Sequence, residues 1–446
     1  AGVNLLYFSP VSKSSAIGRM NADVVKALME SGHQITVVAT DAHPLDFSKT
    51  HAFETSVIHW TNQASVSTKA ITCDQLVYHI GDNYGFHVGA IKWISRMPGL
   101  TCLHDFYLGN LFYGNYAIDR NHQHYFNVVK QLYGEAIAND YFIPMSAVDR
   151  IERTFQSAPM TEWIASLSSG LITHSSWGLD KITKHFSGPT RVIPLSYLTP
   201  HIDIDSDLSV CDKIRILTVG HMNPNKRIDS IIEAISGSPH LKQHATLQLV
   251  GPISSDHSGK IKALADKLGV SISIHGSVDE DLLRRFFVDA DISCCLRNPT
   301  LEAASASTIE AMQYGKAVIV LDHGFYKELP DDCVCKIPVD NEVTGLRNQL
   351  ELLCKDQAYR KRLGEKAKNY AIHTFRPEQY ARNIIEMCAQ VPKASICRDR
   401  VNQATQYYKT MLESWGAGNL VLSHQDVVTP MEFIQKASAS SSRQLS

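Results

Sequence analysis

No stretch of this sequence is apolar for long enough to span a membrane. The longest apolar runs, such as Ala317–Leu321, fall far short of the ~20 residues a spanning helix needs. The segment Ala1–Pro10 has no basic residues ahead of a long apolar stretch, so no signal peptide is expected. Net charge is nearly absent: 43 Lys and Arg stand against 45 Asp and Glu, a formal charge of −2. No basic field therefore draws the chain to nucleic acid. Cysteines spaced C-x-x-C are missing; the 10 cysteines are scattered, which reads as reduced, mostly buried thiols rather than a disulfide framework. The 20 histidines form no H-E-x-x-H motif, and His122 and His124, two apart, do not share a helix face. Neither a structural metal site nor a bound cofactor is expected.

What is present is ordinary for a folded globular protein: 44% hydrophobic and 20% charged residues in a chain of 446, long enough for two or three domains. Asn4–Phe8 reads as a strand, Ser9–Gly18 as a loop, the next residues through Met29 as a helix, and Gln34–Thr40 as a β-branched strand. Strand, helix and strand at this spacing make a parallel βαβ unit. Gln75–Ile80 and Leu171–Thr173 read as further strands, with helical stretches at Tyr125–Ala138 and Met160–Ser168. The first half is therefore expected to be a doubly wound α/β domain.

Around Arg191–Asp212 the texture changes: a short strand starting at Arg191 ends at Pro194, and Pro200 with the acidic, polar stretch His201–Ser209, which contains Asp203 and Asp205, reads as a linker. A second parallel series follows. Strands are expected at Ile214–Val219, Thr246–Val250, Ile272–Ile274, Asp291–Cys295 and Ala317–Leu321. The helices between them are Ile228–Ile235, Asp256–Leu268, Glu280–Val288 and Thr308–Tyr314. After Asn341 the chain reads as mostly helical: Glu342–Leu353, Gln357–His373 and Pro377–Cys388. An amphipathic stretch, Arg398–Trp415, then precedes a short apolar piece, Asn419–Leu422, and a Ser-rich tail of disordered composition. Two doubly wound domains in series face each other across a cleft, and the carboxyl ends of such sheets are where α/β proteins bind ligands.

The segment Leu296–Gly315 follows a strand, turns at Pro299 and enters a helix through small residues. Small side chains admit a ligand to the backbone, and free N–H groups at a helix start suit phosphate. Glu302 and Glu310 flank this turn. Ser307-Thr-Ile-Glu310 also fits an S-x-x-E capping box, in which the carboxylate only closes the helix start, and Glu302 on its own could be a solvated loop carboxylate.

These residues, with Leu296-Arg-x-Pro-Thr, Gly315-Lys-Ala-Val-Ile-Val and Glu328-Leu-Pro, resemble the retaining glycosyltransferases of family four, specifically a bacterial subgroup that builds surface polysaccharides. The resemblance covers approximately residues 1–390 and implies a GT-B fold: two Rossmann-like domains facing a central cleft, here followed by a helical C-terminal extension. It implies that Glu310 binds the ribose hydroxyls of a nucleotide, that Glu302 lies beside the donor sugar, and that the backbone of Ala304, Ser305, Ala306 and Ser307 holds the diphosphate. The subgroup often has Gly where Glu302 stands and Glu at the position of Ala303. Val219–Asp229 resembles a second family motif, whose Lys and Arg grip the diphosphate. Lys226 matches the Lys, His221 replaces the Arg, and Arg227 is a weaker substitute for the lost cation. In the first half the family's glycine-rich loop keeps only Gly18, and His104 with Asp105 is the expected pair at the reacting sugar. His174 could simply pack the cleft wall.

The domains expected are residues 1–198 on the acceptor side, 199–375 for the donor, 376–395 as a helix crossing back, and 396–446 as extension and tail. The expected activity is retaining, metal-independent transfer from a UDP- or GDP-linked sugar to a saccharide or lipid-linked acceptor, as in polysaccharide or glycoconjugate biosynthesis. A nucleotide-sugar epimerase of the same fold and a non-catalytic sugar-nucleotide-binding subunit are the alternatives. The expected location is cytoplasmic, and a peripheral face toward the inner plasma membrane is compatible with the net charge.

Overall fold

The computed structural model describes residues 2–184, 186–198, 201, 211–393, 410–411 and 414–416. Most of the acidic linker, including Asp203 and Asp205, most of Arg398–Trp415, and all of Asn419–Leu422 and the tail lie outside the described residues.

Two parallel sheets carry the molecule. The first contains β1 (Asn4–Ser9), β2 (Gln34–Ala39), β3 (Val57–His59), β4 (Gln75–Ile80), β5 (Leu100–Leu103), β6 (Gly170–Thr173) and β7 (Thr190–Val192), in the order β3-β2-β1-β4-β5-β6-β7. The second contains β8 (Ile214–Val219), β9 (Ala245–Val250), β10 (Ile272–Gly276), β11 (Ile292–Cys295), β12 (Ala317–Leu321) and β13 (Cys335–Ile337), in the order β10-β9-β8-β11-β12-β13. Both orders reverse next to the first strand of the sheet, between β1 and β4 and between β8 and β11. A crevice opens where two neighbouring crossovers run in opposite directions. The fold is therefore doubly wound twice over, with one switch point in each half.

Central strands are covered by helices on both faces, so they read as continuous apolar runs. Leu5, Leu6, Tyr7 and Phe8 are all fully buried. The helix Pro377–Gln390 packs on the helix Ala16–Glu30 of the first half. Tyr380, Ile384 and Met387 on its inner face are buried in a core that runs on into the second half.

The expected helix Tyr125–Ala138 is two helices, His122–Tyr133 and Glu135–Tyr141. Between them Gly134 has φ +96°, which ends one helix before the other begins. The helix expected to start at Thr308 spans Ala306–Gln313, because Ser305 is its cap: Ser305 Oγ accepts from Thr308 N at 3.4 Å.

Candidate active site

Loops at the carboxyl ends of both sheets enclose a cleft of about 930 Å³. Its first-half wall is Lys13–Ile17 after β1 and His104 with Asp105 after β5. Its second-half wall is His221 and Lys226 after β8, then Arg297, Glu302 and Ala304–Ser307 after β11, and Glu310 one turn into the helix.

Backbone bonds stitch the two walls together. Phe106 N donates to Leu301 O at 2.8 Å and Ala303 N to His104 O at 3.0 Å, forming an antiparallel bridge between Asp105 and Glu302. Ser175 Oγ donates to Ala303 O, and Trp177 Nε1 donates to Glu302 O at 3.2 Å. The loop carrying Glu302 is thus fixed by the opposite half of the molecule. Asp105 accepts from Asp82 N at 2.9 Å. Burial, with the nearby Glu302 second, pushes its carboxyl up to about 7.

His104 is 8% exposed. Its Nε2 lies 2.8 Å from His79 Nδ1, which leaves Nδ1 as the ring nitrogen for a ligand. The ring meets that of His174 edge-on at 4.6 Å, and His174 Nε2 lies 2.8 Å from Tyr380 Oη on the returning helix. Burial, then the neighbouring His174, His79 and His87, holds the His104 imidazole well below its usual range, so it works as a neutral group. His174 supports His104 from behind rather than lining the cleft.

Glu310 is 8% exposed and accepts from Tyr197 Oη at 2.7 Å. Ser307 lies inside the helix and Ser305 caps it, so Glu310 does not close a capping box. Burial raises the Glu310 carboxyl, and the Tyr197 hydroxyl bond opposes that rise. Tyr197 is itself held by Gln313, whose Nε2 donates to Tyr197 O at 3.0 Å.

Lys226 is 4% exposed, and its Nζ donates to Val219 O at 2.8 Å. Burial, then the neighbouring Arg297 charge, brings its ammonium down to about 7. Gly220 makes room for it: a Cβ there would stand 2.3 Å from Lys226 Nζ, and φ is +118°. His221 is exposed at the cleft edge, with Nδ1 2.7 Å from Asn223 Oδ1.

Two expected donor residues do not line the cleft. Arg227 turns away to Glu342: its Nε donates to Oε1 at 2.9 Å, a second contact comes from Nη2, and Ser230 Oγ donates to the same carboxylate at 2.7 Å. The Arg227 cation is thereby committed to fixing the helix Glu342–Lys355. Gly18 sits within the first turn of the helix Ala16–Glu30, where a Cβ would lie 2.7 Å from Pro10 O. Its smallness serves that packing, while Ser15, Ala16 and Ile17 before it reach the cleft.

Three residues to which the sequence attached no role also line the cleft: Tyr197, Arg19 and Arg297. Arg19 Nη1 reaches across to Glu280 Oε1 at 3.5 Å, and Arg297 Nε stands 4.0 Å from Glu302 Oε1. Arg297 sits in the conspicuous Leu296-Arg-x-Pro-Thr segment, the one signal that could have singled it out. Among the described residues no group of three or more His, Cys, Asp and Glu is arranged to hold a metal ion. Nor is any helix among them long and apolar enough to cross a membrane.

Residues 203–370 match the family described as Glycosyl transferases group 1. No curated protein sequence matches the chain. Among solved structures, a glycosyltransferase from Rickettsia africae superposes with a TM-score of 0.61 at 14% identity, covering 87% of this chain and 98% of the other. Sucrose-phosphate synthase from Thermosynechococcus elongatus gives 0.59 at 15% identity, with 87% and 98% covered. Anabaena HepE in complex with UDP-glucose gives 0.57 at 16% identity, with 87% and 99% covered. The fold shared with these structures is GT-B.

Proposed function

We propose that this chain, whose residues 203–370 match the group 1 glycosyl transferases within a GT-B frame, is a glycosyltransferase that moves a sugar, with retention, from a nucleotide-sugar donor to a saccharide or lipid-linked acceptor in polysaccharide or glycoconjugate biosynthesis. The observation that carries this reading is the convergence on one cleft of Glu310, Glu302, Lys226, His104 and Asp105 from loops of both sheets. Anabaena HepE, with its UDP-glucose, supports a nucleotide-sugar donor.

In this reading Glu310, oriented by Tyr197, accepts from the ribose hydroxyls. The diphosphate leaves with growing negative charge, which Lys226 and the amides at the start of the helix Ala306–Gln313 stabilise. His104 offers Nδ1 to the reacting sugar. The acceptor attacks from the face the leaving group departs, and the leaving phosphate oxygen takes the acceptor's proton, so no side-chain nucleophile is needed. We assign the charge stabilisation to side chains rather than to a metal.

A thermal-shift panel of UDP, GDP, ADP and their sugars identifies the donor, because a ligand of the folded state raises the unfolding temperature. Transfer to an acceptor glycan, followed by proton NMR of the product, then reports the anomer. The expected result is retained configuration and activity undiminished by a chelator. Conversion of the donor sugar without any acceptor, or inversion, would overturn the reading.

A further inference from the structure

We propose that Arg297 and Lys226 together form the anion-binding pair of the cleft, gripping the diphosphate of the donor, with Arg297 supplying the cation that position 221 lacks. The inference rests on the donor-site reading above and adds to it the residue that completes the phosphate grip.

Four observations carry it. Arg297 and Lys226 are 7% and 4% exposed, yet both line the cleft. A buried charge is costly unless an opposite charge compensates it. Arg297 donates from Nη1 to its own neighbour's carbonyl, Leu296 O, at 2.8 Å, and its ion pair with Glu302 is long, at 4.0 Å. Glu302 is 47% exposed, so this carboxylate neutralises two buried cations poorly. A bound anion would supply the balance.

The second observation is that the two cations are held together. Asn298 N donates to Asn225 O at 2.9 Å, tying the loop after β11 to the loop after β8. Third, the wall between them and Glu310 is small, Ala304 to Ser307, and leads to an eight-residue helix capped by Ser305. A phosphate chain can lie there between the cation pair at one end and a hydroxyl-binding carboxylate at the other. Fourth, the other basic side chains of the loop after β8 face elsewhere: Arg227 is bonded to Glu342, and His221 is exposed beside Asn223. A guanidinium also presents a planar fork that matches phosphate oxygens better than an imidazole does.

The test uses the whole chain and isothermal calorimetry with UDP, GDP, ADP and inorganic pyrophosphate. Arg297→Gln should lose roughly 10- to 100-fold in affinity for the diphosphate that wild type binds, the worth of one charge-assisted contact. Arg297→Lys should recover part of it, and Arg227→Gln should bind as wild type does. A second readout separates phosphate binding from a structural role. Lys226 grips an anion only while protonated, so affinity is lost as pH rises through its pKa. Removing the neighbouring Arg297 charge raises that pKa, so the alkaline loss in Arg297→Gln should begin at higher pH than in wild type.

Wild-type affinity in folded Arg297→Gln, or an equal loss in Arg227→Gln, overturns the inference while the donor reading stands. If Arg297→Gln does not fold, the similarly sized neutral Arg297→Met decides, since affinity unchanged from wild type there also overturns it. Failure of wild type to bind any of the four probes overturns the donor reading itself.

Discussion

At Glu310 a single hydroxyl decides how a buried carboxylate is used. Tyr197 donates to Oε2, fixing one oxygen and favouring the ionised form against burial. In the proposed role of Glu310, nucleotide affinity that depends on this carboxylate is present above its pKa and lost as pH falls through it. Tyr197→Phe raises that pKa further, so calorimetry should show the acid-side loss beginning at higher pH. Affinity at neutral pH should fall by ~0.5–1.5 kcal/mol, one hydrogen bond. An acid limb that does not move would show that Tyr197 only packs there. Asp105 gives the complementary case. Its folded pKa of about 7 lies above the ~3.9 of an unfolded aspartate, so the folded state holds the extra proton between those values. Stability therefore falls as pH rises through that window. Asp105→Asn removes the contribution, and its unfolding temperature should fall less than wild type's between pH 5 and 8, as read by calorimetric scans. That Glu310, Lys226 and His104 line the cleft was legible because each sits in a motif that follows a strand. Tyr197 and Arg19 were not: one stands just before the linker and the other inside a helix, and only the tertiary fold turns them toward the cleft.

Strands were legible where the apolar run was long enough to stand out, and the fully buried but four-residue Leu100–Leu103 was not. Gln75–Ile80, Ile214–Val219 and Ala317–Leu321 are read to the residue, since each is a run of five or six residues dominated by apolar and β-branched side chains. The edge strands Val57–His59 and Cys335–Ile337 are three residues long and show no period to read. Helix starts depended on which of two serines caps, Ser305 or Ser307, a choice made by the backbone turn rather than by the residue type. Gly170 shows what an element can require of one position. A Cβ there would meet Val391 Cγ2 at 2.5 Å, next to the bond by which Gln75 Nε2 donates to Val391 O at 2.8 Å. Gly170→Val should displace the end of the returning helix and cost about 1–3 kcal/mol, measured by urea denaturation. An unchanged midpoint would mean that Val391 yields freely.

The whole molecule closes on itself through its last described helix. Tyr380, Ile384 and Met387 are buried, and each such side chain contributes ~1.5–3 kcal/mol. Together they approach the 5–15 kcal/mol that a typical domain has in total. A chain ending at Arg376 should therefore lack a cooperative thermal transition, and a sharp one near the wild-type temperature would refute this. The same helix supports the site, since Tyr380 holds His174 against His104. The bridge between Asp105 and Glu302 has a consequence for engineering. It makes the first half and the second half poor interchangeable cassettes, even though each is a complete sheet with its own crossovers. A chimera cut in the linker brings together two loops that were never selected to pair. One that transplants residues 103–106 and 175–177 along with the second half keeps the seam intact. Only the second kind can be expected to inherit the cleft wall with Glu302 already in place.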